Sequence, residues 1–245
     1  MINKKINNKN FLIFPNIDKA ENYILDNIVN LQNKTDNLIT LSGGKSPEGL
    51  YRKLSKKLIK CDNFEFLLSD ERYYGDQTNH SNFYFINKIF SDFIDHKKKL
   101  KLIHLIEEPY VNESPNHNPI NKRLFNLNIP SLSILSIGFD GHVASLFDCE
   151  EATINELKNY TTTQKKYLNF YRISLSYSYI LSSKKIILFA FGANKNNVIE
   201  RLKKNNVNKE QYLMPVEYIL KYFKNKIFIV CDNMAFYNKS HYIGS

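Results

Sequence analysis

"SLSILSIG", residues 131–138, is an apolar run of strand length that ends on a glycine. Five more runs share its character: "NLITL" (37–41), "FEFLLS" (64–69), "LKLIHL" (100–105), "KIILFAFG" (185–192) and "KIFIVCD" (226–232). A strand with one wet face alternates apolar and polar residues, whereas continuous runs suit strands covered on both faces, as in a parallel sheet. Between them, residues 18–32, 46–60 and 81–94 carry apolar side chains at helical spacing. Ser46 before Pro47 reads as a helix start, with the hydroxyl at the cap and the proline in the first turn. Alternating strands and helices give an α/β class: a three-layer, Rossmann-like, open and mostly parallel sheet with helices on both faces. The first apolar run, Phe11 to Phe14, reads as the first element. There is no internal repeat, and the polar stretch 107–119 is too short for an interdomain linker, so residues 1–245 read as a single domain.

The chain continues from that strand as "FDGHVAS" (139–145), and two of its only eight glycines, Gly138 and Gly141, fall around Asp140 and just before His142. A neutral imidazole suits general-base work near neutral pH, and Asp140 could fix its tautomer. The bland alternative is a capping histidine beside a turn aspartate.

In open α/β sheets ligands sit beyond the carboxyl ends of the strands. Three other polar segments leave strand ends there. Ser42-Gly43-Gly44 lets backbone N–H groups approach an anion at a helix start, with Lys45 and Ser46 as further donors, although the Walker spacing is missing. Ser69-Asp70-Glu71-Arg72 offers a guanidinium that clamps a phosphate or faces an oxyanion, and an Asp70 that orients it or accepts a sugar hydroxyl. Gly192-Ala193-Asn194-Lys195 offers a lysine, and Arg172 opens another strand. Singly, each is as well read as a surface cation or a local ion pair; together with the glycine turn they make a cage for a phosphate dianion.

Other classes are excluded. No apolar run approaches the ~20 residues of a bilayer span, so no membrane insertion is expected. The net charge of +10 is scattered among asparagines, with no zinc-finger, basic-zipper or RNP pattern, so nucleic acid is not the expected partner. The basic start lacks an apolar core and a cleavage site, so no secretory signal is read. Cys61, Cys149 and Cys231 have no C-x-x-C pairing, and three free thiols fit a reducing, cytoplasmic compartment. The six histidines show no H-x-H or H-E-x-x-H spacing, so neither a metal nor another cofactor is expected. G-x-S-x-G is absent and Cys149 has no obvious base, which favours direct attack by water over a covalent intermediate.

These residues, in this order, resemble the 6-phosphogluconolactonase family within the group that includes glucosamine-6-phosphate deaminase. Five segments carry the resemblance from about Leu38 to Asp232. They are Ser42-Gly43-Gly44-Lys45-Ser46-Pro47, Asp70-Glu71-Arg72 with Ser81-Asn82, Gly138 to Phe147, Arg172-Ile173-Ser174-Leu175 and Gly192-Ala193-Asn194-Lys195. The deaminase resembles D-E-Y where Arg72 stands, and continues its histidine loop as I-A-F-N-E instead of Ala144-Ser145-Leu146-Phe147. Lys45, Ser136, Phe139 and Asp148 depart from the lactonase pattern without removing a group that the chemistry needs.

The resemblance implies a sugar-phosphate isomerase-like fold and hydrolysis of 6-phospho-D-glucono-1,5-lactone to 6-phosphogluconate in the oxidative pentose phosphate pathway. His142, helped by Asp140, would activate the water; Arg72, placed by Asp70, would meet the oxyanion. Gly43, Gly44, Lys45, Ser46, Arg172 and Lys195 would hold the phosphate, with the cations at the opposite end of one crevice from the imidazole. The partner is then a phosphorylated sugar lactone. The assembly is either a monomer or a chain fused to or associated with glucose-6-phosphate dehydrogenase. A deaminase/isomerase of the same fold and a non-catalytic sugar-phosphate binder are the alternatives.

Overall fold

The computed structural model describes residues 1–32, 37–58, 64–73, 80–92, 101–106, 117–147, 149, 159–163, 171–204, 213–222 and 226–238. Outside them lie Cys61, Asp148, most of the polar stretch 107–119 and the last residues of the expected helices 46–60 and 81–94.

The strands are β1 (Ile2–Ile6), β2 (Lys9–Phe14), β3 (Asn37–Leu41), β4 (Phe64–Leu68), β5 (Asp70–Tyr73), β6 (Lys101–Ile103), β7 (Leu132–Ser136), β8 (Tyr160–Thr163), β9 (Tyr171–Leu175), β10 (Ile186–Ala190) and β11 (Ile227–Asp232). The helices are α1 (Ile17–Val29), α2 (Glu48–Leu58), α3 (Asn82–Ser91), α4 (His117–Phe125), α5 (Tyr177–Ser182), α6 (Asn196–Lys203), α7 (Pro215–Tyr222) and α8 (Asn233–Tyr237). Eight strands form the main sheet in the order β1-β2-β11-β10-β7-β3-β4-β6, parallel throughout except at the β1–β2 hairpin. Every residue of β3 and of β10 is buried, which requires cover on both faces.

Strand order fixes where a ligand can enter. After β3 the chain steps outward to β4 and β6; after β7, which lies beside β3, it reaches β10 and β11 on the other side. The sheet therefore reverses direction between β3 and β7, and the exits of these two strands flank the resulting crevice. Ser42 joins them there: its N–H donates to Ile134 O at 3.0 Å and its hydroxyl accepts from Ser136 N at 2.9 Å.

Three local features differ from expectation. The first element is β1, not the run from Phe11; its "INKKI" is too polar to read as a buried strand because it is an edge, turned back at Asn7 and Asn8 with φ 49° and 62°. The polar Asp70–Tyr73 segment is a strand too. It continues β4 into a second, antiparallel sheet of order β5-β9-β8, hung from the main sheet by Ser69 N donating to Leu41 O and Leu175 N to Ser69 O, each at 2.8 Å. Finally, Pro47 O accepts the first helical bond of α2 from Tyr51 N, which puts the proline at the cap and Ser46 one residue outside it.

Candidate active site

The histidine loop is a tight excursion at the end of β7. Ile137 and Val143 pair across its neck, and Gly138 N donates to His142 O at 2.8 Å. Asp140 Oδ1 accepts from the His142 backbone N–H at 3.2 Å and is hydrogen-bonded to His142 Nδ1. A neutral ring held this way carries its proton on Nδ1 and keeps the Nε2 lone pair for a substrate. About a quarter of the His142 side chain is exposed, so the ring is not sealed in the interior. A methyl on Gly138 would overlap Nδ1 and Cε1 of His142 and stand 2.7 Å from Asp140 Oδ1. Gly141, at φ 83°, lies against Met214, and its carbonyl accepts from Val216 N at 3.0 Å. One glycine makes room for the ring, and the other supplies a left-handed turn clamped by the start of α7.

The small sheet carries the arginines. Asp70 pairs with Ser174 and Arg72 with Arg172 across the β5–β9 ladder, so the four side chains lie on one face. Asp70 is buried; its oxygens accept from Ser69 Oγ at 3.0 Å and Ser145 Oγ at 2.7 Å. Arg72 donates through Nη1 to His80 O at 2.7 Å. Burial holds the Arg172 guanidinium below its usual range, Arg72 adds to the depression, and the charges of Asp70 and Glu71 oppose it. Arg172 Cζ lies 5.5 Å from the Phe147 ring centre, and that ring is 4.9 Å from the His142 ring. Phe147 is thus a shared wall between imidazole and guanidinium.

Glu71 points to the opposite face and is fully buried. It accepts from Arg72 N, Asn82 N, Phe83 N and Ser81 Oγ at 2.7–2.8 Å, and His104 Nε2 is 3.6 Å away. Burial alone raises its carboxyl pKa; His104 and the backbone N–H groups more than reverse this, and the net position is below the usual carboxylate range. The Asn82 amide donates to Asp70 O at 3.0 Å, and its side chain occupies the space a methyl on Gly43 would take. One carboxylate thereby frames both Arg72 and the glycine turn.

Gly43 and Gly44 leave β3 as expected, with Gly44 at φ 80° and open space beside it. Lys45 and Ser46 are exposed at the turn. Lys195 ends a short 3₁₀ turn (Ala193–Lys195) after β10 and is largely buried. Burial lowers its ammonium pKa and the Asp140 charge pulls it part of the way back. β7 and β10 are adjacent and parallel, so their exits bring Lys195 beside Asp140. Asp232, at the end of β11, fixes that exit by accepting from Gly192 N at 2.9 Å.

The expected segments leave the strands of the main sheet at its carboxyl rim and of the small sheet hung from it. Arg72 and Arg172 sit on the small sheet, and Lys195 sits by Asp140. Glu71, Asn82, Ser145 and Ser174 lie in the expected segments but carry no expected role; each is a polar side chain that buries almost completely. Among the described residues no three His, Cys, Asp or Glu side chains converge as a metal site.

The family model for glucosamine-6-phosphate isomerases/6-phosphogluconolactonase matches residues 16–228. A 6-phosphogluconolactonase of Helicobacter pylori is 31% identical over 183 residues, covering 74% of this chain and 78% of that protein. A glucosamine-6-phosphate deaminase of Mycoplasma mycoides is 25% identical over 223 residues, covering 84% and 86%. The crystal structure of a 6-phosphogluconolactonase from Shewanella baltica superimposes with a TM-score of 0.80 at 22% identity, over 94% of this chain and all of that one. The chain belongs to the glucosamine-6-phosphate isomerase/6-phosphogluconolactonase family.

Proposed function

We propose that the protein is a lactone hydrolase that converts 6-phospho-D-glucono-1,5-lactone to 6-phosphogluconate. The observation that carries this is the Asp140–His142 pair at the reversal point of the sheet, with Lys195 beside Asp140 and Arg172 across Phe147. The lactonase relatives support the same reaction.

His142 Nε2 takes a proton from water, and the hydroxide adds to the lactone carbonyl carbon. The resulting oxyanion faces the planar guanidinium of Arg72. Collapse breaks the bond from that carbon to the ring oxygen, which leaves with the proton held by the imidazolium; the sum is the addition of one water. Gly43, Gly44, Arg172 and Lys195 hold the phosphate, and Lys45 and Ser46 add donors from the solvent side. Asp70 steadies the arginine pair. A general base contributes about 10²–10⁴-fold and an oxyanion donor about 3–4 kcal/mol, sufficient for a substrate that is already an activated ester.

We further place the reaction in the oxidative pentose phosphate pathway of the cytoplasm, carried out by residues 1–245 as one domain. A pH-indicator assay with freshly generated lactone tests the proposal: acid release well above the spontaneous rate is expected. No acceleration, together with ammonia release from glucosamine 6-phosphate, would assign the chain to the deaminase branch instead.

A further inference from the structure

We infer that Ser145 is a positioning residue for this hydrolysis: it fixes the His142 loop at a set offset from the Arg72–Arg172 pair. The inference rests on the lactonase function proposed above. Ser145 is fully buried three residues after the imidazole. Its hydroxyl donates to Asp70 Oδ2 at 2.7 Å and its N–H donates to Ser174 Oγ at 3.1 Å. Asp70 and Ser174 are register partners, so one residue of the loop grips both strands of the small sheet at the same rung. The next rung on that face is Arg72 and Arg172.

The turn that delivers Ser145 is held under tension. Leu146 N donates to Val143 O at 3.0 Å, closing a four-residue turn whose first central residue, Ala144, has φ 54°. A left-handed backbone is unfavourable for a residue with a Cβ and is usually given to glycine. Such a conformation persists where surrounding contacts over-determine it, and the two bonds of Ser145 are those contacts on its far side. Asp70 (6% exposed) and Ser174 (buried) leave little room for water to replace them.

The histidine loop belongs to the main sheet and the arginines to the small one, so their separation depends on the joint between the sheets. A general base and an oxyanion donor displaced by ~1 Å lose roughly a hundredfold in rate. Loss of the Ser145 hydroxyl should act on turnover through His142 and leave the affinity for the phosphate group in place.

The experiment compares kcat for 6-phosphogluconolactone and Kd for 6-phosphogluconate in wild type, Ser145→Ala and Ser145→Cys. The cysteine fills the same space but donates weakly, and keeps the inference testable if the alanine variant fails to fold. Expected is a fall in kcat of about 10–100-fold in Ser145→Ala, and a smaller fall in Ser145→Cys, at product Kd within about twofold of wild type. An unchanged kcat, or kcat and binding stoichiometry falling by one common factor, overturns the inference and leaves the lactonase function standing. A wild-type protein without lactonase activity overturns both.

Discussion

Arg72 and Arg172 face each other as partners in the β5–β9 ladder, and the Nε of each is buried without a hydrogen-bond partner among the described residues. Like charges directly opposite in a sheet are destabilising. A phosphate held by Arg172 would offset part of this repulsion through charge-assisted hydrogen bonds. Hydrogen bonds to charged groups are worth about 1.5–3 kcal/mol, so Arg172→Gln should weaken 6-phosphogluconate binding by about 10–100-fold. Calorimetric titration checks this; unchanged affinity would remove Arg172 from the phosphate site.

Gly138→Ala isolates the room made for the imidazole. Gly138 is not among the positive-φ glycines, so alanine strains only the contact with His142 and Asp140. The ring must move, and turnover should drop by about a hundredfold while the phosphate groups stay in place. Steady-state kinetics with a parallel measurement of product binding separates the two effects; full activity would mean that the ring tolerates displacement.

Much of this arrangement is legible in the sequence for a simple reason. β3, β7, β10 and β11 are buried on both faces, so their apolar runs stand out and their exits can be located. β1 and β5 were hidden because an edge strand and a strand of charged side chains are written in the same polar residues as a loop. The grouping of Lys195 with Asp140 depends on which strands are neighbours, and no local pattern encodes the step from β7 to β10. The duties of Ser145 and Glu71 stayed out of reach because they are set by contacts between segments far apart in the chain.

Glu71 links the frame to pH. Its carboxyl lies below the usual range in the folded protein, so the stability it adds is fully present above the unfolded value near 4.5 and is lost as pH falls through the folded one. Glu71→Gln should cost about 1.5–3 kcal/mol at pH 7, where an amide cannot accept from all these donors. The gap from wild type should narrow below the unfolded value. Denaturant melts at neutral and acidic pH test this, and a gap independent of pH would contradict the charge assignment.

Lys195 gives the opposite limb. Burial lowers its ammonium pKa despite Asp140, so it loses its charge at lower pH than an ordinary lysine near 10.4. Affinity for 6-phosphogluconate should therefore decline on the alkaline side before that value. Lys195→Arg, which stays charged, should flatten the decline, and Lys195→Ala should mainly raise KM. A large loss of turnover at unchanged KM in Lys195→Ala would show Lys195 in the chemistry instead of in binding.

The most direct test concerns the imidazole held by Asp140. In His142→Ala, kcat for freshly generated 6-phosphogluconolactone, corrected for spontaneous hydrolysis, should fall by about 10²–10⁴-fold with little change in product affinity. Turnover close to that of wild type would contradict the account at its centre.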